Sequence, residues 1–385
     1  MFVIFIALDD NKIMDFEEKK YWVAFNVFDG IGPLRFKLLL NYFGTAEKAF
    51  NAAEEKLMEV GLGEGLVKRF IEFRKTFDFD GYFQKLEKLG IGVLCVDEEG
   101  YPKLLKEVQS YPPVLYVKVR DMGPASTAKR GEVLGRKAVA VVGTRKVTGY
   151  GRQVTEMIVE GLVASGLVVV SGLARGVDEI AHKTTINNKG LTIAVLGCGL
   201  DLIYPPEHKD LAEKVVESGG AVVSEFPMGM AAVPGNFPAR NRIISGLSLG
   251  VVVTEAAEDS GSLITASCAA EQGRDVFAVP GPITSPLSRG TSELIKKGAK
   301  LVSGVEDILE ELGVKGVGSV RGLRDMRDLV GEEKKIVDLL ENENLHIDVI
   351  ARKIEIDSGQ AGGILSLLEI KGIIRNFGEG IYGLR

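Results

Sequence analysis

The chain has 385 residues, of which 45% are hydrophobic and 26% charged, proportions of folded globular protein that exclude wholesale disorder. Lys and Arg number 47 against 53 Asp and Glu, a net charge of -6, which excludes a nucleic-acid binder that works through bulk positive charge. No run approaches the ~18 apolar residues that span a bilayer, and Cys95, Cys198 and Cys268 lie far apart with no C-x-x-C pair, which argues against a disulfide framework or a Cys-based zinc site.

The apolar start, Met1–Leu8, has no basic flank before it and Asp9-Asp10 after it. It makes a poor signal peptide, so a cytoplasmic protein with no membrane partner is expected. Glycine and charge then divide the chain into blocks at 1–120, 130–312 and 331–385. The stretch 313–330 carries 4 Lys/Arg and 2 Asp/Glu and starts Gly-Val-Lys-Gly-Val-Gly, which reads as a flexible linker.

The first block reads as helical. Phe28-Asp29-Gly30-Ile31-Gly32-Pro33 precedes the helical pattern Leu34–Phe43, and Val60-Gly61-Leu62-Gly63 precedes Leu66–Phe73. The repeat resembles a helix-hairpin-helix (SAM-like) arrangement, whose glycines free backbone N–H groups at a helix start. The alternative is an ordinary helical turn with glycine just past the helix end. Residues 91–96 read as a short strand, and Tyr101-Pro102 and Tyr111-Pro112-Pro113 as rigid extended pieces.

The middle block alternates two patterns. Apolar, β-branched runs occur at Ala138–Val142, Leu167–Ser171, Leu191–Leu196, Ala221–Ser224, Leu249–Val253 and Asp275–Val279. Helical patterns fill Tyr150–Ala164, Asp178–Asn187, Pro206–Glu217 and Ser262–Gln272. Continuous apolar strands between amphipathic helices predict an α/β fold, an extended Rossmann-like parallel sheet covered on both faces. The last block predicts helices at Glu332–Glu341, His346–Ile354 and Ser358–Lys371, then a hairpin turning at Gly-Glu-Gly, which together read as a winged helix. Residues 358–370 hold no Lys or Arg, so a protein-contact or structural role is expected for it rather than major-groove reading.

Parallel strands place the loops of the middle block on one rim, where such sheets bind ligands. The first loop supplies Gly143, Thr144, Arg145 and Lys146. The second supplies Gly172, Arg175 and Gly176. The fourth supplies Phe237, Arg240, Asn241 and Arg242, and the fifth Ser260, Gly261, Ser262 and Thr265. Glycines and helix N-termini admit an anion, arginine grips phosphate bidentately, and Phe237 offers a ring to a base. The glycines are also what tight strand-to-helix turns require, and Arg175 with Asp178, or Arg240 with Glu225, would make structural ion pairs. Four arginines on one rim favour anion binding. Glu255 stands either as a catalytic carboxylate or, more commonly, as an arginine partner. His182 reads as packed, His208 as exposed, and Cys198 as a small residue in a tight place. Three scattered histidines argue against a metal site. No Gly-x-Ser-x-Gly elbow or P-loop occurs, which argues against those enzyme classes.

Taken in order, Val142-Gly143-Thr144-Arg145, Ser171 through Asp178, Leu196 through Asp201 with Tyr204-Pro205, Phe237 through Ile244, Ser260 through Thr265, and Val279-Pro280-Gly281 closely resemble the DNA-processing protein A (DprA/Smf) family. The resemblance extends over nearly the whole chain. It implies a non-enzymatic, cofactor-free homodimer that binds single-stranded DNA in an extended Rossmann pocket. It also implies protection of incoming strands and help in loading the recombinase RecA during natural transformation. Arg145, Arg175 and Phe237 through Arg242 map onto that family's DNA pocket. His208 and Ser292 stand where the family often has Asn; the second change touches the hydrogen bonding of its loop. The alternatives are a Rossmann-type nucleotide phosphoribohydrolase and a nucleotide-binding module. The former usually carries Pro-Gly-Gly-x-Gly-Thr-x-x-Glu, whereas here position 268, three residues after Thr265, is Cys.

Overall fold

The computed structural model describes residues 14–120, 131–314, 329, 331–341, 343–370 and 373–384. The start Met1–Leu8 and nearly all of the 313–330 linker lie outside the described residues. The chain divides into two compact units, one ending at Val314 and one beginning at Lys315.

The first unit opens with six helices: α1 (Phe16–Val27), α2 (Pro33–Phe43), α3 (Ala46–Phe50), α4 (Glu54–Glu59), α5 (Glu64–Thr76) and α6 (Phe79–Lys88). They close around aromatic rings: Phe25 stacks on Phe70 at 5.0 Å, and Phe50 meets Phe70 edge-on at 5.4 Å. The chain then forms β1 (Gly92–Cys95), α7 (Lys103–Lys106) and β2 (Val114–Val119). Sequence reading passes over β2, which follows directly on Pro112-Pro113 and stands outside the strand–helix alternation. β1 pairs antiparallel with β2, which pairs antiparallel with a strand of the following segment. One hydrophobic cluster runs from Trp22 to Ala269, so the helical segment and the sheet share a core.

Seven parallel strands follow: β3 (Ala138–Val142), β4 (Val168–Ser171), β5 (Thr192–Val195), β6 (Ala221–Ser224), β7 (Gly250–Val253), β8 (Asp275–Ala278) and β9 (Lys300–Leu301). The connecting helices are α8 (Gly149–Ala164), α9 (Val177–Asn187), α10 (Lys209–Glu217, entered through a 3-10 turn), α11 (Asn236–Gly246), α12 (Ser262–Glu271), α13 (Arg289–Lys296) and α14 (Val305–Glu311). The sheet order is β1-β2-β6-β5-β4-β3-β7-β8-β9. The chain lays down β3 to β6 in one direction and returns to start β7 on the other side of β3, a switch point of the kind that opens a ligand crevice. Alternate residues feed opposite faces. Ala138, Ala140 and Val142 join the large cluster, and Val139 and Val141 a second one with Ile158, Leu162, Phe277 and Ile308. That double burial is why the strands read as unbroken apolar runs. The two margins differ: β1 is buried along its whole length, whereas β9 has two exposed residues.

His182 sits in α9 with no exposure. Thr192 Oγ1 donates to Val169 O at 2.7 Å, so His182 Nδ1, 2.7 Å from that hydroxyl, acts as the donor to it. Its Nε2 is buried without a hydrogen-bond partner, which fits a neutral ring. Burial, followed by the nearby His208 and Arg240, lowers its pKa to about 3. A depressed folded-state pKa contributes stability that is present above the ordinary value of 6.5 and is lost as the pH falls toward 3. The effect is on the order of 4–5 kcal/mol. Urea unfolding from pH 7 to 4 should show about 3 kcal/mol of this loss, and His182→Asn should flatten it; an unchanged pH slope in the variant would refute the assignment.

The second unit contains α15 (Glu332–Leu340), β10 (Leu345–His346), α16 (Ile347–Ile354), α17 (Ser358–Ile370), β11 (Ile374–Asn376) and β12 (Ile381–Leu384). Its sheet runs β10-β12-β11, antiparallel throughout. Ile336, Val337, Leu340, Ile350, Leu365, Leu368 and Ile374 supply its own core. β10 adds a strand that sequence periodicity does not reveal, because it is only two residues long.

Candidate nucleic-acid interface

The site begins at the switch between β3 and β7. Thr144 N donates to Glu255 O at 2.7 Å, and Thr148 N and Oγ1 donate to the Glu255 carboxylate at 2.9 and 2.6 Å. Thr148 in turn caps α8 by accepting from Gly151 N at 3.0 Å. Glu255, 3% exposed, therefore fastens the loop after β3 across the split. Its carboxylate is held by Thr148, and no arginine pairs with it among the described residues. On the other side, Asp178 accepts from Gly172 N and Ala174 N at 3.1 and 3.3 Å, which fixes the loop after β4.

The two loops cross at Gly176. Its φ is +79°, and a Cβ there would lie 2.3 Å from Thr144 O and 2.8 Å from Arg145 C. Only glycine tolerates both the positive φ and the approach. Gly176→Ala should displace the Arg145 loop and cost about 1–3 kcal/mol of stability. Thermal unfolding with a DNA titration checks this, and wild-type values in both would refute it.

Between these loops and the N-termini of α11 and α12 lies an open cleft of about 730 Å³. Arg145 is exposed and holds its guanidinium 5.8 Å from the centre of the Phe237 ring. Phe237 lies against Gly197, where a Cβ would approach it to 3.0 Å, and meets Tyr204 at 5.5 Å with the rings tilted by 44°. Arginine and two rings thus form one platform. The opposite wall is the start of α12, where Ser260, Gly261, Ser262 and Thr265 line the cleft. Asn241 Nδ2 donates to Gly261 O at 3.2 Å, and the Ser260 and Ser262 hydroxyls are 2.8 Å apart. Gly235 before α11 and Gly261 before α12 give their helices no side-chain cap, but Asn236 N donates to Val233 O, Leu263 N to Ser260 O and Ser262 N to the Ser260 hydroxyl. Pro238 has no N–H, so the two helix starts offer an anion chiefly their partial positive charge. The turn leading to Phe237 is braced by the helical segment: Asn26 Nδ2 donates to Glu225 O, and Met228 N donates to the Tyr82 hydroxyl, each at 3.1 Å.

The family model for DNA recombination-mediator protein A matches residues 92–313. The chain belongs to the DNA recombination-mediator protein A family. Protein Smf of Synechocystis is 40% identical over 297 residues, 77% of this chain and 73% of that protein. The crystal structure of DNA processing protein A from Streptococcus pneumoniae matches at a TM-score of 0.65 with 34% identity, covering 78% of this chain and 98% of that one. DNA processing protein A from Helicobacter pylori, in a structure concerned with its single-stranded DNA binding mode, matches at a TM-score of 0.50 with 30% identity, covering 58% and 95%.

The recombination-mediator span contains every candidate residue, but the structure sorts them. Gly143, Thr144, Arg145, Lys146, Phe237, Asn241, Ser260, Gly261, Ser262 and Thr265 line the cleft. Arg240 also borders it but is 4% exposed and points beneath the floor. Its Nη1 donates to Gly172 O at 2.7 Å and to Val195 O, and its Nε has no hydrogen-bond partner. Burial pulls its pKa down to about 10, so it stays charged at neutral pH. Gly172 packs against that guanidinium, where a Cβ would clash at 2.6 Å. Arg242 forms a two-pronged pair with Glu225, both contacts at 2.6 Å, and does not line the cleft. Arg175 pairs with Glu207 rather than Asp178 and, with Gly176, lines a neighbouring cleft. Of the four expected rim arginines, only Arg145 opens into the first cleft without an ion pair among the described residues. His208, expected to be exposed, is 5% exposed with Nδ1 donating to Leu173 O at 2.8 Å. Cys198 is 1% exposed and donates to Leu202 O. Tyr204 is a site residue that sequence reasoning used only as a motif marker; its place just after the β5 loop, beside a Phe-bearing loop, was the available signal. Among the described residues no cluster suited to a metal ion occurs, and no helix is long and apolar enough to cross a membrane.

Proposed function

We propose that this recombination mediator binds single-stranded DNA in the first cleft. A base stacks on Phe237 and Tyr204, Arg145 grips an adjacent phosphate, and the N-termini of α11 and α12 receive further phosphate oxygens. The observation that carries the reading is the Arg145–Phe237–Tyr204 platform facing an uncapped helix start. The relative from Helicobacter pylori, studied for its single-stranded DNA binding mode, supports it. In this reading the chain works without cofactor or catalysis, in the cytoplasm and as a homodimer. It shields incoming strands and hands them to the recombinase RecA, and its last unit is a winged helix serving protein contacts. The engagement of Glu255 in helix capping supports the non-enzymatic part. A salt titration by fluorescence anisotropy tests the core claim. Single-strand affinity should fall linearly on a log–log plot, by about 0.7 in slope per phosphate neutralised, and duplex should bind more weakly. Salt-independent binding, or equal affinity for duplex, would overturn it.

A further inference from the structure

A second cleft of about 770 Å³ adjoins the first. Arg145 and Lys146 line both, so one loop forms their shared wall. Beyond that wall the second cleft adds Arg152, Arg175, Lys183 and Lys214. These six cations face three acids, Glu179, Glu207 and Asp210, a local surplus of three positive charges in a chain of net charge -6. The first cleft, by contrast, sets Arg145, Lys146 and buried Arg240 against Asp178 and Asp259.

The two linings also differ in what they offer a nucleotide. The second cleft presents no Phe, Tyr or Trp; its one aromatic side chain, His208, is buried and bonded to Leu173 O, and its larger apolar members are Val147, Ile186 and Leu211. Cations without an exposed aromatic ring suit phosphates, whereas the Phe237–Tyr204 platform suits a base. Occupancy is already contested from within: the Glu207 carboxylate lies on the Arg175 guanidinium, where a phosphate oxygen would sit, with both side chains about half exposed. Glu179 holds Lys183 at 2.6 Å. Among the described residues no ion pair engages Lys146 or Lys214.

We propose that the second cleft is a lane for the sugar-phosphate backbone of the same DNA strand whose base occupies the first cleft, with Glu207 competing for the lane and limiting how firmly the strand is held. The inference rests on the single-strand reading above. It predicts that a strand must reach past Arg145 and Lys146 before the second cleft contributes.

Oligo-dT of about six nucleotides and of about twenty separates the two clefts by length. With the wild type as reference, Lys183→Ala/Lys214→Ala should weaken the long strand about 3- to 10-fold. It should also lower the salt slope by about 1.4 and leave the short strand unchanged. Glu207→Gln should tighten the long strand by about 3-fold and again spare the short one. The opposite sign of this second variant keeps the test standing if the double variant folds poorly. Equal effects on both lengths, or none on the long strand, would overturn the lane alone. A wild type that binds neither length would overturn the single-strand reading and the lane with it.

Discussion

Arg145→Ala is expected to weaken single-stranded DNA binding by about 10- to 100-fold, the range for losing a hydrogen-bonded contact to a charged group. Lys146 beside it lines the same clefts, but only Arg145 sets a planar guanidinium over the Phe237 ring. It opens into the first cleft without an ion pair among the described residues, and it forms the wall to the second. The salt slope should fall by about 0.7 for each phosphate released. Phe237→Ala should cost about 1–3 kcal/mol for one lost stacking surface. The double variant should lose less than the sum, because the guanidinium and the ring are 5.8 Å apart and organise one another. Arg145 is exposed, so the unfolding midpoint should stay at the wild-type value. Single-strand affinity within about 2-fold of wild type would remove Arg145 from the site.

The second large effect falls on folding rather than on binding. Arg240→Ala removes the donor to Gly172 O and Val195 O beneath the cleft floor and leaves Asp178 without the guanidinium that offsets its burial. Breaking buried charge compensation in this way costs about 3–5 kcal/mol, read as a lowered urea midpoint. The pH dependence has a definite sign. Burial raises the pKa of Asp178 and Arg240 draws it back down, so the variant raises it further. A raised carboxyl pKa means stability that is present at acid pH and lost as the pH climbs through the folded-state value. The deficit of Arg240→Ala relative to wild type should therefore be smallest in acid and grow toward neutrality. A constant deficit across pH would show that only the carbonyl contacts matter.

How much of this was legible in the sequence depends on how local the cause is. β3 and β6 fall at the ends expected from their apolar runs, because burial on both faces leaves a pattern that needs no partner to read. β2 and β9 were passed over: one follows a Pro-Pro pair and joins the sheet from outside the alternation, and the other is two residues long. α11 was not expected as a helix, and that omission hid the orientation of Arg240. Phe237, Arg240 and Ile244 within it, and Leu247 just past its end, recur at helical spacing, and Ile244 and Leu247 are buried, so the phase places Arg240 on the inward face. That the strand-end loops gather on one rim was recognisable from topology alone, and residues of several of them line the first cleft. Which arginine stays open was not, because that depends on acids distant in sequence. Glu225 takes Arg242 across 17 residues and Glu207 takes Arg175 across 32. The helical and sheet segments read as separate blocks because their shared core and the β2–β6 pairing join residues far apart in sequence.

The margins of the nine-stranded sheet matter for how the protein behaves when it is concentrated. An unpaired strand edge invites another copy to add its own strand, and crowding multiplies the chance. At one margin β1 lies buried beneath the helical segment. At the other, β9 ends after two exposed residues, with Lys300 held by Glu311. Neither margin presents a long exposed strand among the described residues, so neither offers a template on which another copy could extend the sheet.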